Sequence, residues 1–237
     1  MRVRKPDRDE QGRSPVVALL IPSMEQWYAD FGNALLALCA NLHHTIDSRY
    51  SVINERGSLI TLQRESLAEL GMAKGAEWLL WLDSDMVFPH DLFNRLVAHK
   101  RPLVGCNYVK RIVPATPNTK RVDGKLMLTR EDSTGLEEAS SAGFGAVLMH
   151  RSVFEDLEKP WFDTVWYRKD TDSELEMMGE DVFFFKKVRA LKKIPLMIDH
   201  DTSKLIGHVG SFEYTNNLAG ATFEELDNPE LEKRVLG

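Results

Sequence analysis

Two aspartates close an apolar run in this chain. In WLLWLDSDMVFP (78–89), Asp83 and Asp85 stand one residue apart, and Met86, Val87 and Phe88 turn apolar again before Pro89. With reference pKa values near 3.9, both carboxyls ionise at neutral pH unless strongly perturbed, and they repel unless a cation sits between or beside them. Hard oxygen ligands suit Mg2+ or Mn2+, ions that share their coordination with phosphate oxygens. The pair is therefore a candidate for bridging a divalent ion to a diphosphate. The chain holds three further D-x-D strings, Asp7/Asp9, Asp170/Asp172 and Asp199/Asp201. The first two lie in polar sequence and read as solvated surface. Asp199/Asp201 also ends an apolar run and competes with Asp83/Asp85.

Other residues add chemistry. Glu180 and Asp181 open a strongly apolar helical stretch. Acidic first turns complement the helix dipole, and a carboxylate held there can equally act as a general base. Gly143 and Gly145 flank Phe144 in SAGFGAVLM, which reads as a tight turn before a strand or as close approach of the backbone to a ligand. His208 lies between glycines in IGHVG; it is a structural histidine or a third metal ligand.

These residues need elements to hold them. Residues 15–21 read as a buried strand stopped by Pro22, followed by a helix with Trp27, Phe31, Leu35 and Leu38 on one face. Further strands are expected over 50–54, 77–83 and 101–108, with helices over 59–75 and from Pro89 to about His99. Within a strand ending at Asp83 and Asp85, alternate residues share a side, so both carboxylates would project together from a carboxyl edge, where open α/β sheets bind ligands. This alternation predicts an α/β fold with a parallel, doubly wound sheet. The second half is mixed: a hairpin over 120–130 turning at Asp123-Gly124, strands over 144–150, 194–199 and 205–210, and a helix over 180–193. Thr222 and Glu225 fit a capping box in the closing segment.

The 237 residues suit one α/β domain or two small ones. The expected division is an arm over 1–14, a single domain over 15–215 and a helical tail over 216–237. A net charge of −6 argues against a general nucleic-acid binder. Cys39 and Cys106 lack metal-type spacing and point to a reduced, cytoplasmic protein. The apolar run 16–21 is too short to span a membrane or to be a signal peptide.

Taken together, VALLIPS (17–23), the stretch 63–111 around LDSD, AGFGAVLMHRSVFEDL (142–157), GEDVFFFKKV (179–188) and IGHVG (206–210) resemble the GT-A-type, family-2-like nucleotide-sugar glycosyltransferases. The small stand-alone members encoded by bacteriophages are the most similar. The resemblance implies a GT-A, Rossmann-like fold, a mostly parallel central sheet flanked by helices with a small antiparallel portion. It implies a nucleoside-diphosphate sugar as donor and Mn2+ or Mg2+ as cofactor. By position, Asp83 and Asp85 match the metal-binding D-x-D motif around Ser84, with Asp85 the more direct ligand, and His208 matches the histidine that completes the metal site. Glu180 and Asp181 match the x-E-D motif, with Asp181 the base of an inverting enzyme. Pro22, Ser23 and Arg64 match positions bordering the donor, and Gly143, Phe144 and Gly145 match a loop lining sugar and acceptor. No clear acidic uracil-reading residue follows the second strand; Asn54 and Glu55 are the candidates. The long carboxyl-terminal acceptor-binding extensions of many relatives are absent.

Two basic runs bear on the acceptor. Lys110, Arg111, Lys120, Arg121, Lys125 and Arg130 face a single acid, Asp123, and could clamp a polyanion. Lys186, Lys187, Arg189, Lys192 and Lys193 alternate with a helix's apolar face and read as solvated surface. With the phage resemblance, DNA carrying a hydroxymethylated pyrimidine is one expected acceptor, beside a surface polysaccharide, a lipid-linked sugar or a protein. A nucleotidyltransferase of related fold would favour a glycine-rich basic loop after the first strand, which PSMEQW lacks. A non-catalytic nucleotide- or DNA-binding module would bind ligand without turnover.

Overall fold

The computed structural model describes residues 16–168 and 174–218. The arm, Asp7/Asp9, Asp170/Asp172, most of the tail and the Thr222–Glu225 capping box lie outside the described residues. The amino-terminal half is β1 (Val17–Ser23), α1 (Ala29–Thr45), β2 (Tyr50–Arg56), α2 (Ile60–Ala73) and β3 (Trp78–Leu82). Then come β4 (Met86–Val87), α3 (Leu92–Val97), β5 (Leu103–Gly105), β6 (Lys120–Arg121), β7 (Leu136–Ser141) and β8 (Ala146–His150). The chain continues through β9 (Val165–Tyr167), β10 (Glu176–Met178), α4 (Glu180–Lys192), β11 (Leu196–Asp199), α5 (His200–Ser203), β12 (Gly207–Val209) and β13 (Glu213–Thr215).

Eight strands form the main sheet in the order β2-β1-β3-β8-β5-β11-β7-β6. β1 pairs in parallel with β2 and β3, and β5 with β11. β8 runs against both β3 and β5, and β7 against β11 and β6. The sheet is thus mostly parallel in direction, but two inserted antiparallel strands interrupt the doubly wound pattern that the first half suggested. Along β1 the side chains alternate between two cores. Ala18 and Leu20 pack with α2 residues Leu67 and Ala68, while Val17, Leu19 and Ile21 pack with Phe31, Leu35 and Leu38 of α1. Both faces being covered explains why β1 reads as a continuous apolar run rather than an alternating one.

Several boundaries differ from expectation. β1 does not stop at Pro22 but pairs with β2 through Pro22 and Ser23. Its last pair with β3 is Leu20↔Trp81, so Pro22 lies where β1 has a neighbour on one side only, a position that tolerates a missing N–H. β3 ends at Leu82, and Asp83, Ser84 and Asp85 form a turn closed by the Met86 N–H donating to the Asp83 carbonyl at 3.2 Å. The strand argument for co-directed aspartates therefore fails. β4 leaves the main sheet and joins β12 and β13 in a separate three-stranded sheet. The turn at Asp123-Gly124 forms, with Gly124 at φ 85, but β6 pairs with β7 rather than extending a long hairpin. Only Leu92–Val97 of the 89–99 stretch is helical. β7, LEEASS, carries no apolar alternation and was not legible as a strand.

Helix α2 lies tight against the sheet at Gly71, where an added Cβ would stand 2.7 Å from Leu79 and 3.2 Å from Leu20. Overpacking a core costs about 1–3 kcal/mol, more than the up to ~1 kcal/mol that alanine gains over glycine in a helix. Gly71→Ala is expected to lower stability by about 1–2 kcal/mol in denaturant unfolding.

Candidate active site

Arg64, near the middle of α2, is 4% exposed and joins two distant acidic motifs. Its Nη2 donates to Asp83 Oδ1 at 3.2 Å, and its Nε donates to Glu180 Oε1 at 3.2 Å. The guanidinium lies over the Phe144 ring, 4.5 Å from the centroid. Burial works against its charge, but Asp83 and Glu180 outweigh that and hold Arg64 protonated. Its Nη1 is buried without a partner. Phe144 itself is buried among Trp81, Phe162, Phe184 and Phe185, so it forms the floor under Arg64.

Asp181 follows Glu180 in the first turn of α4, and its Oδ1 accepts from the Val182 N–H at 2.6 Å. Burial, reinforced by the charge of Glu180, raises its carboxyl to about 6. Asp181 is not paired with Arg64, whereas Glu180 is. Burial, the largest influence, also pushes Asp83 up; Arg64 opposes this, and Asp85 and Glu180 add to it.

Asp85 belongs to a second cluster. Its Oδ2 lies 3.3 Å from His208 Nε2 and 3.2 Å from Arg111 Nη1. Burial alone would raise the Asp85 carboxyl, but His208 and Arg111 outweigh it and hold it below the usual range. His208 Nδ1 lies 2.9 Å from the Val109 carbonyl, which can only accept, so Nδ1 carries the proton. Unprotonated, Nε2 would set a second acceptor against that carboxylate oxygen. Two acceptors at this distance require a proton or a cation between them. The Val109 carbonyl fixes the ring as the outer partner of a metal-binding histidine does.

The structure thus brings Asp85 and His208 together but turns Asp83 to Arg64. Among the described residues no three His, Cys, Asp or Glu side chains form a ready metal cluster. The donor set still fits Mg2+ or Mn2+, since such ions are commonly held by one or two protein ligands with phosphate oxygens and water. Asp199 and Asp201, the competing pair, are structural. Asp199 caps α5 through the Thr202 N–H and pairs with His99, and Asp201 accepts from the Gly135 N–H.

Ser23 lies at the end of β1, where its Oγ accepts from Asn54 Nδ2 at 2.9 Å. Asn54 also donates to the Ile21 carbonyl, and Gln63 Nε2 ties the Ser23 and Glu55 carbonyls, so these groups knit the β1 and β2 ends together. Beside them run two adjoining clefts of about 410 and 390 Å3, lined by Met24, Glu25, Trp27, Tyr28, Arg56 and Ser58. The Tyr28 N–H donates to the Ser84 carbonyl at 3.4 Å, linking this groove to the Asp83–Asp85 turn. The space at Gly143 and Gly145 is already filled by protein: an added Cβ would lie 2.0 Å from Tyr108 Oη at Gly143, and 2.8 Å from Met86 Sδ at Gly145. Tyr108, whose hydroxyl accepts from the Gly145 N–H, escaped sequence reasoning, and Arg111 was read there only as part of a basic run, not as a partner of Asp85. Their signal was the string YVKR (108–111) following β5, which pattern alone assigns to no cleft.

No family model matches the chain. Among solved structures, A197 from STIV is similar with a TM-score of 0.56 at 20% identity, covering 82% of this chain and 86% of that one. GalNAc-T7 with UDP, GalNAc and Mn2+ is similar with a TM-score of 0.53 at 14% identity, covering 85% of this chain and 45% of that one. The chain has the GT-A glycosyltransferase fold. Over 121 residues it is 26% identical to the mannan polymerase complex subunit MNN9 of Candida albicans. That match takes in 47% of this chain and 33% of MNN9, so the chain spans about a third of the length of this curated relative. The likeness is to GT-A glycosyltransferases in general and gives no support to phage membership. On the GT-A fold, the carboxyl ends of β1 and β3 face the groove and the Asp83–Asp85 turn described above.

Two outcomes follow from these contacts. Removing Arg64 would leave Asp83 and Glu180 uncompensated, a change that costs about 3–5 kcal/mol for a buried pair; Arg64→Met is expected to show that loss in urea unfolding. Asp181 has the opposite sign. Its folded pKa, about 6, lies above the ordinary value of 3.8, so the stability it supports is present below pH 4 and lost as pH rises through 6. In EDTA, Asp181→Asn is expected to be more stable than the parent above pH 7, by at most about 3 kcal/mol, with the difference vanishing near pH 4.

Proposed function

We propose that this chain is a divalent-metal-dependent glycosyltransferase that moves a sugar from a nucleoside-diphosphate sugar to an acceptor hydroxyl, with inversion. The carrying observation is electrostatic. Four carboxyls, Asp83, Asp85, Glu180 and Asp181, gather beside two arginines, Arg64 and Arg111, and His208 brings an imidazole nitrogen to Asp85. The excess of negative charge and unshared acceptors suits a divalent cation. The similar GalNAc-T7 is bound to UDP and Mn2+, which supports the same pairing of nucleotide and metal here.

Asp85 and His208 would hold the ion, with Asp85 the more direct ligand of the D-x-D pair. When bound, it supplies Lewis-acid neutralisation of the departing diphosphate. Asp83 and Glu180 act through Arg64, which fixes the Asp83–Asp85 turn against the start of α4. Arg111 adds a positive charge beside the phosphate position. The groove along Tyr28, Met24 and Ser58, beside the buried Ser23, would take the nucleoside. The acceptor hydroxyl gives its proton to Asp181 as its oxygen bonds to the anomeric carbon, and the bond from that carbon to the diphosphate oxygen breaks with the electron pair leaving on the diphosphate. A base with a pKa of about 6 is ionised at neutral pH and still basic enough to take a proton in the transition state.

The DNA acceptor expected from the phage resemblance rested on the first basic run, the second having read as solvated surface. In the structure, Lys187 and Lys192 bind carbonyls of the 155–160 segment, and the cations between 110 and 125 are interleaved with exposed aliphatic side chains, taken up below.

The proposal is tested with a panel of nucleotide-sugars and Mn2+ by thermal unfolding, followed by product analysis. A donor at about 100 times its dissociation constant stabilises by roughly 2.7 kcal/mol. Asp85→Ala is expected to abolish the Mn2+-dependent part of that shift. Asp181→Asn is expected to keep the shift yet lose about 10²–10⁴-fold in transfer, and the parent rate should fall as pH drops through 6. Release of pyrophosphate in place of nucleoside diphosphate would identify a nucleotidyltransferase instead. Donor binding with no turnover, unaltered by Asp181→Asn, would identify a binding module.

A further inference from the structure

Segment 110–126 joins the active site to the surface. It carries Lys110, Arg111, Lys120, Arg121 and Lys125 against one acid, Asp123, in a chain whose net charge is −6. The structure folds it into two adjoining turns. The first is closed by the Lys110 N–H donating to the Thr116 carbonyl and by the Val109↔Pro117 bridge. The second is closed by the Arg121 N–H donating to the Lys125 carbonyl and by the Lys120↔Leu126 bridge. Val109 and Ala115 are buried with Tyr214 in a small core of their own. The aliphatic side chains at the turn tips are left in water: Val113 is 73% exposed, Val122 51% and Ile112 49%. Phe212, 47% exposed, stacks on Tyr214 with ring centroids 4.1 Å apart, so it belongs to the same patch.

A polyanion such as DNA is held by cations and hydrogen-bond donors at its phosphates, and Ile112 and Val113 offer neither. A bilayer surface asks for both features at once: apolar side chains that enter the headgroup and acyl boundary, and lysines or arginines that meet anionic headgroups. Either signal alone gives weak, reversible attachment. Among the described residues no helix is long and apolar enough to cross a membrane, so attachment here would be to the surface. The patch also has a fixed relation to the site. Arg111, at the base of the first turn, reaches Asp85 Oδ2 at 3.2 Å and the Val209 carbonyl at 3.3 Å.

We infer that the 110–126 turns and Phe212 form a face that docks on an anionic lipid bilayer, holding the cleft at the membrane surface where an acceptor hydroxyl is presented. The acceptor half rests on the glycosyltransferase reading; the docking half does not, and is measured without donor or metal.

The test is sedimentation of the full chain with phosphatidylcholine vesicles, with and without phosphatidylglycerol. Binding is expected only when phosphatidylglycerol is present. Each lysine near an anionic surface is worth about fivefold in binding, so Lys120→Glu with Lys125→Glu should lose at least about 25-fold. Ile112→Ser with Val113→Ser should also weaken binding severalfold while leaving the thermal midpoint unchanged, since both side chains are exposed. Failure to bind phosphatidylglycerol vesicles would overturn the inference. So would vesicle binding indifferent to the Ile112 and Val113 changes, or tighter binding to duplex DNA that falls with the lysine changes alone. Loss of glycosyl transfer in Asp181→Asn, with vesicle binding intact, would leave the two proposals separately decided.

Discussion

The buried guanidinium of Arg64 is the interaction on which the site depends. It binds Asp83, 19 positions away, and Glu180, 116 positions away, and rests on the Phe144 ring. Desolvating a guanidinium and two carboxylates is costly, and such pairs are retained only where geometry and hydrogen bonds compensate. Here the compensation is mutual. Arg64 opposes the burial that pushes Asp83 up, and Arg64 could not be buried as a cation without the two carboxylates. The clasp fixes the end of β3 against the start of α4, which otherwise belong to different parts of the chain.

That fixed relation divides labour among four carboxyls. Asp83 and Glu180 are spent on Arg64. Asp85 is drawn to His208 and Arg111 on the other side of the turn. Asp181 is left without a cation of its own, and burial, reinforced by the charge of Glu180, lifts its carboxyl to about 6 despite the Val182 N–H. Environment, rather than residue type, gives the three aspartates their different protonation behaviour. The turn makes this possible because it stands between two sheets: β3 ends in the main sheet and β4 begins the small one with β12, which carries His208. His208, from near the end of the described chain, is thereby delivered to an aspartate from its first half.

The surface follows the same logic at lower cost. Tyr108 and Val109 turn inward, filling the space beside Gly143 and placing a carbonyl on His208. The residues immediately after them turn outward as basic and aliphatic side chains. One loop therefore shapes the site from within and sets the character of the surface beside it.

Much of the α/β pattern was legible because burial on both faces of a strand leaves a continuous apolar run and burial of one stripe of a helix leaves a period. β1 and β3 carry the continuous apolar run of strands covered on both faces, and α1 carries the helical stripe. β7 carries neither, because LEEASS sits near the sheet edge with its acids engaged by Arg121, His200 and Arg189. The residue types of the site, Asp83, Asp85, Glu180, Asp181 and His208, were also legible, since acids and a histidine beside apolar runs are chemically conspicuous. Their partners were not. That Asp83 faces Arg64 while Asp85 faces His208 and Arg111 depends on a turn replacing the last strand residues and on contacts between segments up to 123 positions apart (His208 and Asp85). Local sequence determines which element forms; which carboxylate meets a cation is decided by packing between elements, and only the tertiary structure holds that information.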